Sequence, residues 1–417
     1  MDKSNGNLRW GIGALLFFVS ALNYLDRQVL SVLAPSIQKE LRLSDIDYSY
    51  ITSSFLLSYT IMYAISGRLV DQWGTRKSLL WFAGSWSVAN VLHGFAKTVA
   101  QFCGARFLLG AAESGNFPAG VKAAAEWFPL KERALAIGLL NAGSSAGAAV
   151  AAPLVSFITI AWGWQSAFVV TGLIGFIWVY CWWKYYYTPQ THPRISKEEL
   201  QYIEGDAEPE PTKKKISIGQ LLRMRQSWGC FVARIFIDPC TYFLIFWIPK
   251  YLQEEQGMTL NLVGYFAWIP YLALAIGTIA GGIIPRRLIN NGWSLNRSRK
   301  TVMLTASLLI PLCCVLLFTS HSLTIAILAI TGVMFGHGLW GNITIPAEVF
   351  PKSVQGTLTG LGGTLGGCAS ILTQFAIGWT VQNVSYTPVF IAVGLMYLLT
   401  FFGVQLLIGK LGQIIKL

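Results

Sequence analysis

The chain has 417 residues, of which 54% are hydrophobic and 12% charged, 31 basic against 19 acidic, for a net charge of +12. Soluble globular chains carry about a quarter charged residues, so this composition, with a mean hydropathy of +0.52, excludes a water-soluble enzyme and places the chain in a bilayer. Nucleic acid is also excluded as a partner, because no basic stripe with interleaved aromatics accounts for the charge. The seven cysteines, at 103, 181, 230, 240, 313, 314 and 368, all sit in apolar segments without CxxC spacing. They act as small hydrophobes, and neither a zinc site nor a disulfide framework is expected.

A helix needs about 20 apolar residues to cross the hydrocarbon. From the N-terminus, residues 1–10 run straight into an apolar stretch that is too long for a signal peptide and is read as the first span. The spacing predicts twelve spans: 10–35, 48–70, 77–96, 101–122, 134–158 and 164–187, then 228–252, 262–285, 300–319, 322–346, 355–381 and 386–409. Connections are short except 188–227, which holds 13 charged residues in 40, four prolines and the run Lys213-Lys214-Lys215. The expected organisation is therefore an N-terminal six-helix bundle (1–187), a linker (188–227) and a C-terminal six-helix bundle (228–417). This is an all-α membrane protein. The lysine and arginine bias puts both termini and the linker in the cytoplasm; only Lys39, Arg42, Lys97 and Lys250 then fall in outside loops. The charge is an insertion signal.

The halves resemble each other. Ala125-Glu126-Trp127-Phe128-Pro129 and Ala347-Glu348-Val349-Phe350-Pro351 are offset by 222 residues and each joins the fourth span of its half to the fifth. Parallel repeats with a midplane site between them are a transporter architecture.

Ionisable groups inside a span are costly and either pair or serve function. Those in span one and span four are Asp26, Arg27, Arg106 and Glu113. Arg106, Gly110 and Glu113 lie at i, i+4 and i+7 on one helical face, and Ser20, Asn23, Arg27 and Ser31 form a polar stripe on span one. If these spans adjoin, Asp26 meets Arg106 and Glu113 meets Arg27. Two readings stand: static ion pairs, or a proton-loading pair (Asp26, Glu113) whose protonation frees Arg27 to hold a substrate carboxylate through its two-pronged fork, with Arg106 in support. Arg234 and Asp238, at i and i+4, read as a local salt bridge, His337 as a hydrogen-bonded interior histidine and Glu348 as structural. Tyr24, Tyr59, Asn141, Ser144, Trp340 and Asn342 are candidate partners for the hydroxyls of a small substrate. No HExxH pair, serine-triad motif or phosphate loop is present, so an enzyme is not expected.

The loop after span two reads Gly67-Arg68-Leu69-Val70-Asp71-Gln72-Trp73-Gly74-Thr75-Arg76-Lys77. It resembles the signature loop of the major facilitator superfamily, in which Gly67 would allow close packing and Asp71, with Gly74 and Arg76, would form a conformational latch on the cytoplasmic side. The corresponding loop of the second half, Gly281-Gly282-Ile283-Ile284-Pro285-Arg286-Arg287, lacks the acid. Asn23-Tyr24-Leu25-Asp26-Arg27, Arg106-Phe107-Leu108-Leu109-Gly110-Ala111-Ala112-Glu113 and Phe246-Trp247-Ile248-Pro249-Lys250-Tyr251-Leu252 are similar to the anion:cation symporter family within it. Pro118-Ala119-Gly120-Val121-Lys122 through Asn141-Ala142-Gly143-Ser144-Ser145 are similar to its sugar-acid permeases, hexuronate carriers above all. The resemblance implies the major facilitator fold and proton-coupled symport of a small carboxylate sugar by alternating access. It also implies no cofactor beyond the proton, no metal, and a monomer in the bacterial inner membrane. The competing expectation is an exchanger or exporter of organic anions, other sugar acids such as galactonate or glucarate among them, without obligatory proton coupling.

Overall fold

The computed structural model describes residues 8–205, 217–319, 322–340 and 345–415. Among them every regular element is helical. The first elements are α1 (Leu8–Leu41), α2 (Asp45–His93), α3 (Val99–Glu113), α4 (Asn116–Trp127), α5 (Leu130–Trp162), α6 (Trp164–Tyr185), α7 (Lys197–Glu204) and α8 (Ile218–Arg223). They are followed by α9 (Arg225–Phe246), α10 (Ile248–Glu254), α11 (Leu260–Phe266), α12 (Trp268–Asn290), α13 (Leu295–Thr319), α14 (Leu323–Trp340), α15 (Ile345–Val349), α16 (Lys352–Asn383) and α17 (Thr387–Ile408).

Among the described residues, nine helical segments are long and apolar enough to cross a membrane. They coincide with nine of the twelve expected spans, and the other three have local explanations. Spans two and three are two helices that meet at a kink within α2, where many serines, threonines and tyrosines dilute the apolar character. At their junction Gly74 takes φ 77° and ψ 160°, a backbone that a side chain would strain. Span four is divided at Ser114–Gly115 into α3 and α4. A Cβ at Gly115 would come within 2.2 Å of the Phe82 ring, so the break is where α2 presses on the chain. The motif repeated in the two halves also repeats its backbone: Phe128 is extended, as residues before proline tend to be, and Pro129 (φ −60°, ψ 158°) and Pro351 (φ −64°, ψ 151°) each stand at the N-cap of the next long helix.

The chain gathers into two compact units, residues 1–33 with 54–210, and residues 34–53 with 211–417. In the first, α5 lies directly on α1. A Cβ at Gly143 would sit 2.1 Å from the Phe17 carbonyl oxygen, and one at Gly147 1.9 Å from that of Ala21. Helices approach this closely in membranes through small residues. The linker helix α7 belongs to this unit: Ser196 caps it by accepting from the Glu199 N–H. Buried Glu199 accepts from both the main-chain N–H and the guanidinium of Arg9, while Arg9 also pairs with Glu132 at 2.8 Å. In the second unit α12 and α14 meet glycine to backbone, Gly277 over Phe335 and Gly338 over Leu274. The α2 segment joins this unit through Tyr48, whose hydroxyl donates to the Phe246 carbonyl at 2.7 Å.

Candidate functional site

Four buried charges of the first unit collect on α1 and α3. Asp26, Arg27, Arg106 and Glu113 are each at most 3% exposed. Two residues on one face of α3, Arg106 and Glu113, both reach α1, because Gly110 between them lets α3 settle onto the α2 backbone: a Cβ there would lie 2.3 Å from the Phe55 carbonyl oxygen.

Arg27 is the centre of the cluster. Its Nε and Nη2 donate to Glu113 Oε2 at 3.0 and 2.8 Å, and Nη2 also reaches Asn23 Oδ1 at 3.4 Å. The guanidinium carbon lies 4.7, 5.0 and 5.1 Å from the ring centroids of Tyr24, Phe55 and Tyr59. Three rings within about 6 Å of one cation give it a stabilising π surface. They also hold a planar group in one orientation. Glu113 spends a single oxygen on this contact, and its Oε1 is buried with no hydrogen-bond partner among the described residues.

One expected pair forms and the other does not. Glu113 meets Arg27 as the charges required. Asp26 faces Asn90 instead of Arg106: Asn90 Nδ2 donates to Asp26 Oδ1 at 2.7 Å and to Thr171 Oγ1 at 2.7 Å. The Arg106 guanidinium turns to the Arg27 main-chain carbonyl, with both terminal nitrogens at 3.4 Å. The cause is position: Asp26 and Arg27 are neighbours on α1 and point about 100° apart around a helix of 3.6 residues per turn. Only one of them can face α3 squarely. Asn90 and Thr171 were not singled out in the sequence, although Ser87 and Asn90, at i and i+3 in an apolar span, carry the same kind of polar stripe that marked span one.

The remaining candidates are dispersed. Tyr24 and Tyr59 stand against Arg27 as described, and Tyr59 stacks between Phe55 and Tyr63 at centroid distances of 5.6 and 5.8 Å. Asn141 is exposed and donates to the Ile137 carbonyl of its own helix at 3.0 Å; Ser144, nearly one turn on, is half-buried. In the second unit Trp340 is buried edge-to-face against Tyr397 at 5.9 Å. Asn342 lies outside the described residues. Arg234 and Asp238 form the expected local bridge at 3.0 Å. His337 is hydrogen-bonded inside the unit to Thr241 and Tyr397, and Glu348 accepts from Arg299 at 2.6 Å.

The signature loop departs from expectation in one respect. Gly67 is not a close-packing point: a Cβ there would meet nothing within 4 Å. The positional demand is at Gly74, through its positive φ. Asp71 pairs with Lys122 of α4 at 3.1 Å, and Arg76 donates to the Trp183 carbonyl at 2.6 Å while lying over the Tyr187 ring. A further group escaped notice as an outside-loop base. Lys250, only 1% exposed, is held between Asp45 at 2.8 Å and Glu254.

Among the described residues no group of three or more histidine, cysteine or acidic side chains is placed to hold a metal ion. What the first unit offers instead is a guanidinium fork on three aromatic rings, occupied by one buried carboxylate, with a second buried carboxylate on the next residue. Such a fork binds a carboxylate through paired charge-assisted hydrogen bonds.

Residues 16–295 match the family model of the Major Facilitator Superfamily. The chain is similar to the hexuronate transporter of Escherichia coli K12, 35% identical over 407 residues that cover 96% of this chain and 93% of that one. It is similar also to a probable galactarate/D-glucarate transporter of the same organism, 33% identical with 94% and 93% covered. A solved D-xylose-proton symporter shares the fold, with a TM-score of 0.75 at 14% identity over 96% of this chain and 98% of that one. The long apolar helices, the half-chain repeat and this family match together make the chain a multi-pass membrane transporter belonging to the major facilitator superfamily.

Proposed function

We propose that the protein is a proton-coupled symporter of a sugar-acid anion, hexuronate by preference, in the bacterial inner membrane with both termini cytoplasmic. The observation that carries this reading is the Arg27–Glu113 pair, 2.8 Å apart and buried on aromatic rings. An arginine needed only for packing could be replaced by apolar side chains at little cost. An arginine that must release one carboxylate and take another needs a titratable partner. Protonation of Glu113 removes the charge that holds Arg27, and the freed fork takes the substrate carboxylate. Loss of the proton on the other side restores the internal pair and ejects the anion. Tyr24 and Tyr59 wall the fork and offer hydroxyls to the sugar, and Ser144 and Asn141 are further hydroxyl partners. Asp71, with Gly74 and Arg76, belongs to the latch that changes with the accessible side.

Support for the substrate class comes from the relatives, which are named for hexuronate and for galactarate/D-glucarate. The second of these keeps a dicarboxylate sugar acid as the alternative cargo. The experiment is uptake of labelled glucuronate into proteoliposomes of the purified protein under an imposed pH gradient. Accumulation above equilibrium that collapses with a protonophore supports symport. Exchange with internal anion that ignores the gradient supports an exchanger instead.

A further inference from the structure

Asp26 is held in a way that the proton-coupled reading, on which this inference rests, does not by itself require. Its Oδ1 accepts from the Asn90 carboxamide, which is fixed in turn by Thr171 Oγ1, and the Thr171 hydroxyl donates to the Ala167 carbonyl at 2.9 Å. All three side chains are fully buried. Two acceptors of this small network are left over: Asp26 Oδ2 and Asn90 Oδ1 are buried with no hydrogen-bond partner among the described residues. A buried acceptor without a donor is costly, the more so when it carries charge. One proton on Oδ2 turns that oxygen into a donor and removes the buried charge in the same step.

The identity of the holding group matters. A guanidinium beside Asp26 would compete with the proton, because it stabilises only the ionised carboxylate. A carboxamide carries no charge and can donate to either form, to the carboxylate more strongly than to the carbonyl oxygen of a carboxylic acid. The orientation of Asp26 is therefore kept through both protonation states, and Oδ2 alone is left to gain and lose the proton. The charged and titratable groups around it are Glu113 and Arg106 on α3, Arg27 beside it on α1, and His93 one turn beyond Asn90, whose Nδ1 faces the Ala89 carbonyl and whose ring stacks on Phe168. Arg106 is occupied with the Arg27 carbonyl.

We propose that Asn90 is a positioning residue for proton coupling: it orients Asp26 so that Oδ2 takes up and releases a proton without a change of side-chain geometry, and Thr171 sets Asn90. The test is an infrared pH titration of the whole protein in lipid. The Asp26 carboxyl band is identified by its disappearance in Asp26→Asn. In Asn90→Ala its titration midpoint should move by at least one pH unit, and in Thr171→Val by less in the same direction. Accumulation of glucuronate under a pH gradient should fall at least tenfold in Asn90→Ala, while gradient-free counterflow stays within threefold. Counterflow and accumulation falling together, or an unmoved Asp26 midpoint, would overturn the positioning role; if Asn90→Ala does not fold, an unmoved midpoint in Thr171→Val does so. Failure of the underlying reading looks different. If no Asp26 band titrates, or Asp26→Asn still accumulates substrate uphill, Asp26 carries no proton whatever Asn90 does.

Discussion

At the scale of single residues the balance of charge inside the first unit decides what the cluster can do. Two carboxylates and two guanidiniums lie on adjoining helices, and the Glu113–Arg27 contact is an ion pair with direct hydrogen bonds. Glu113→Gln keeps size and hydrogen-bonding capacity but never titrates. It should mimic the loaded carrier, so that counterflow exchange of glucuronate survives while accumulation driven by a pH gradient is lost. Uphill uptake persisting in this variant would return Glu113 to a static structural role. Arg27→Lys keeps the charge but replaces a planar fork by a point donor. We expect the apparent affinity for glucuronate to fall at least tenfold, about 1.4 kcal/mol, measured as the KM of uptake at fixed pH. Of this site, the charges and the Arg27–Glu113 pairing were legible in the sequence, because intramembrane charges must neutralise and helical spacing puts Arg106 and Glu113 on one face. The partner of Asp26 was not legible. Asn90 is 64 residues away and neutral, so no charge rule pointed to it; only the packing of α2 against α1 and α6 brings it there.

Among the helices, close approach and buried polar ties set the packing. Gly147 of α5 leaves no room for a side chain over the Ala21 carbonyl, whereas a Cβ at Gly138 of the same helix would meet nothing within 4 Å. Gly147→Val should therefore abolish folded protein in detergent, judged by a monodisperse size-exclusion peak. Gly138→Ala should be tolerated, or stabilise by up to about 1 kcal/mol through helix propensity. Sequence pattern gave the positions of these helices well, but not every break. The α3–α4 interruption follows from Phe82 pressing on Gly115, a tertiary fact, whereas the break between spans two and three falls at Gly74, inside the gap expected between them. Beyond the spans, α10 carries a second buried charge group. Trp247 Nε1 donates to Gln374 Oε1 at 2.8 Å and Thr52 to the same oxygen at 3.2 Å, so α2, α9 and α16 are tied beside the Lys250, Asp45 and Glu254 cluster. Burial pushes the Glu254 carboxyl above its ordinary range, with the Lys250 ammonium opposing it. A carboxyl raised in the folded state adds stability that is fully present below its unfolded pKa and is lost as pH rises through the folded value. Glu254→Gln, which cannot titrate, should thus gain in melting temperature relative to wild type as the pH rises from 4.5 towards neutrality. A difference that is flat with pH would show that Glu254 does not feel its burial.

For the whole molecule, the legible part of the sequence was its periodicity and its repetition. Twelve apolar stretches, a basic bias on alternate loops and a pentapeptide recurring at matching places are properties of the chain itself, and they are consequences of a bilayer that leaves few alternatives to helices. What stayed hidden was the choice of cargo, because the proposed hydroxyl partners Tyr59, Asn141 and Ser144 have side chains that recur in any polar helix face. Arg27 narrows it. On the proposed function, a guanidinium shielded on three rings and released by Glu113 would gain its binding energy from a carboxylate, and a neutral hexose offers no group that would displace the internal acid. Glucuronate and galacturonate should therefore compete for uptake of labelled glucuronate, while glucose and galactose at a hundredfold excess should not. Galactarate, with a carboxylate at each end, should compete only if a second cation receives its other end, so its inhibition constant relative to glucuronate separates the hexuronate reading from the dicarboxylate one. Efficient uptake of a neutral hexose would sink the assignment of Arg27 as the carboxylate receptor, since the fork would then have to leave Glu113 with nothing of like charge to take its place.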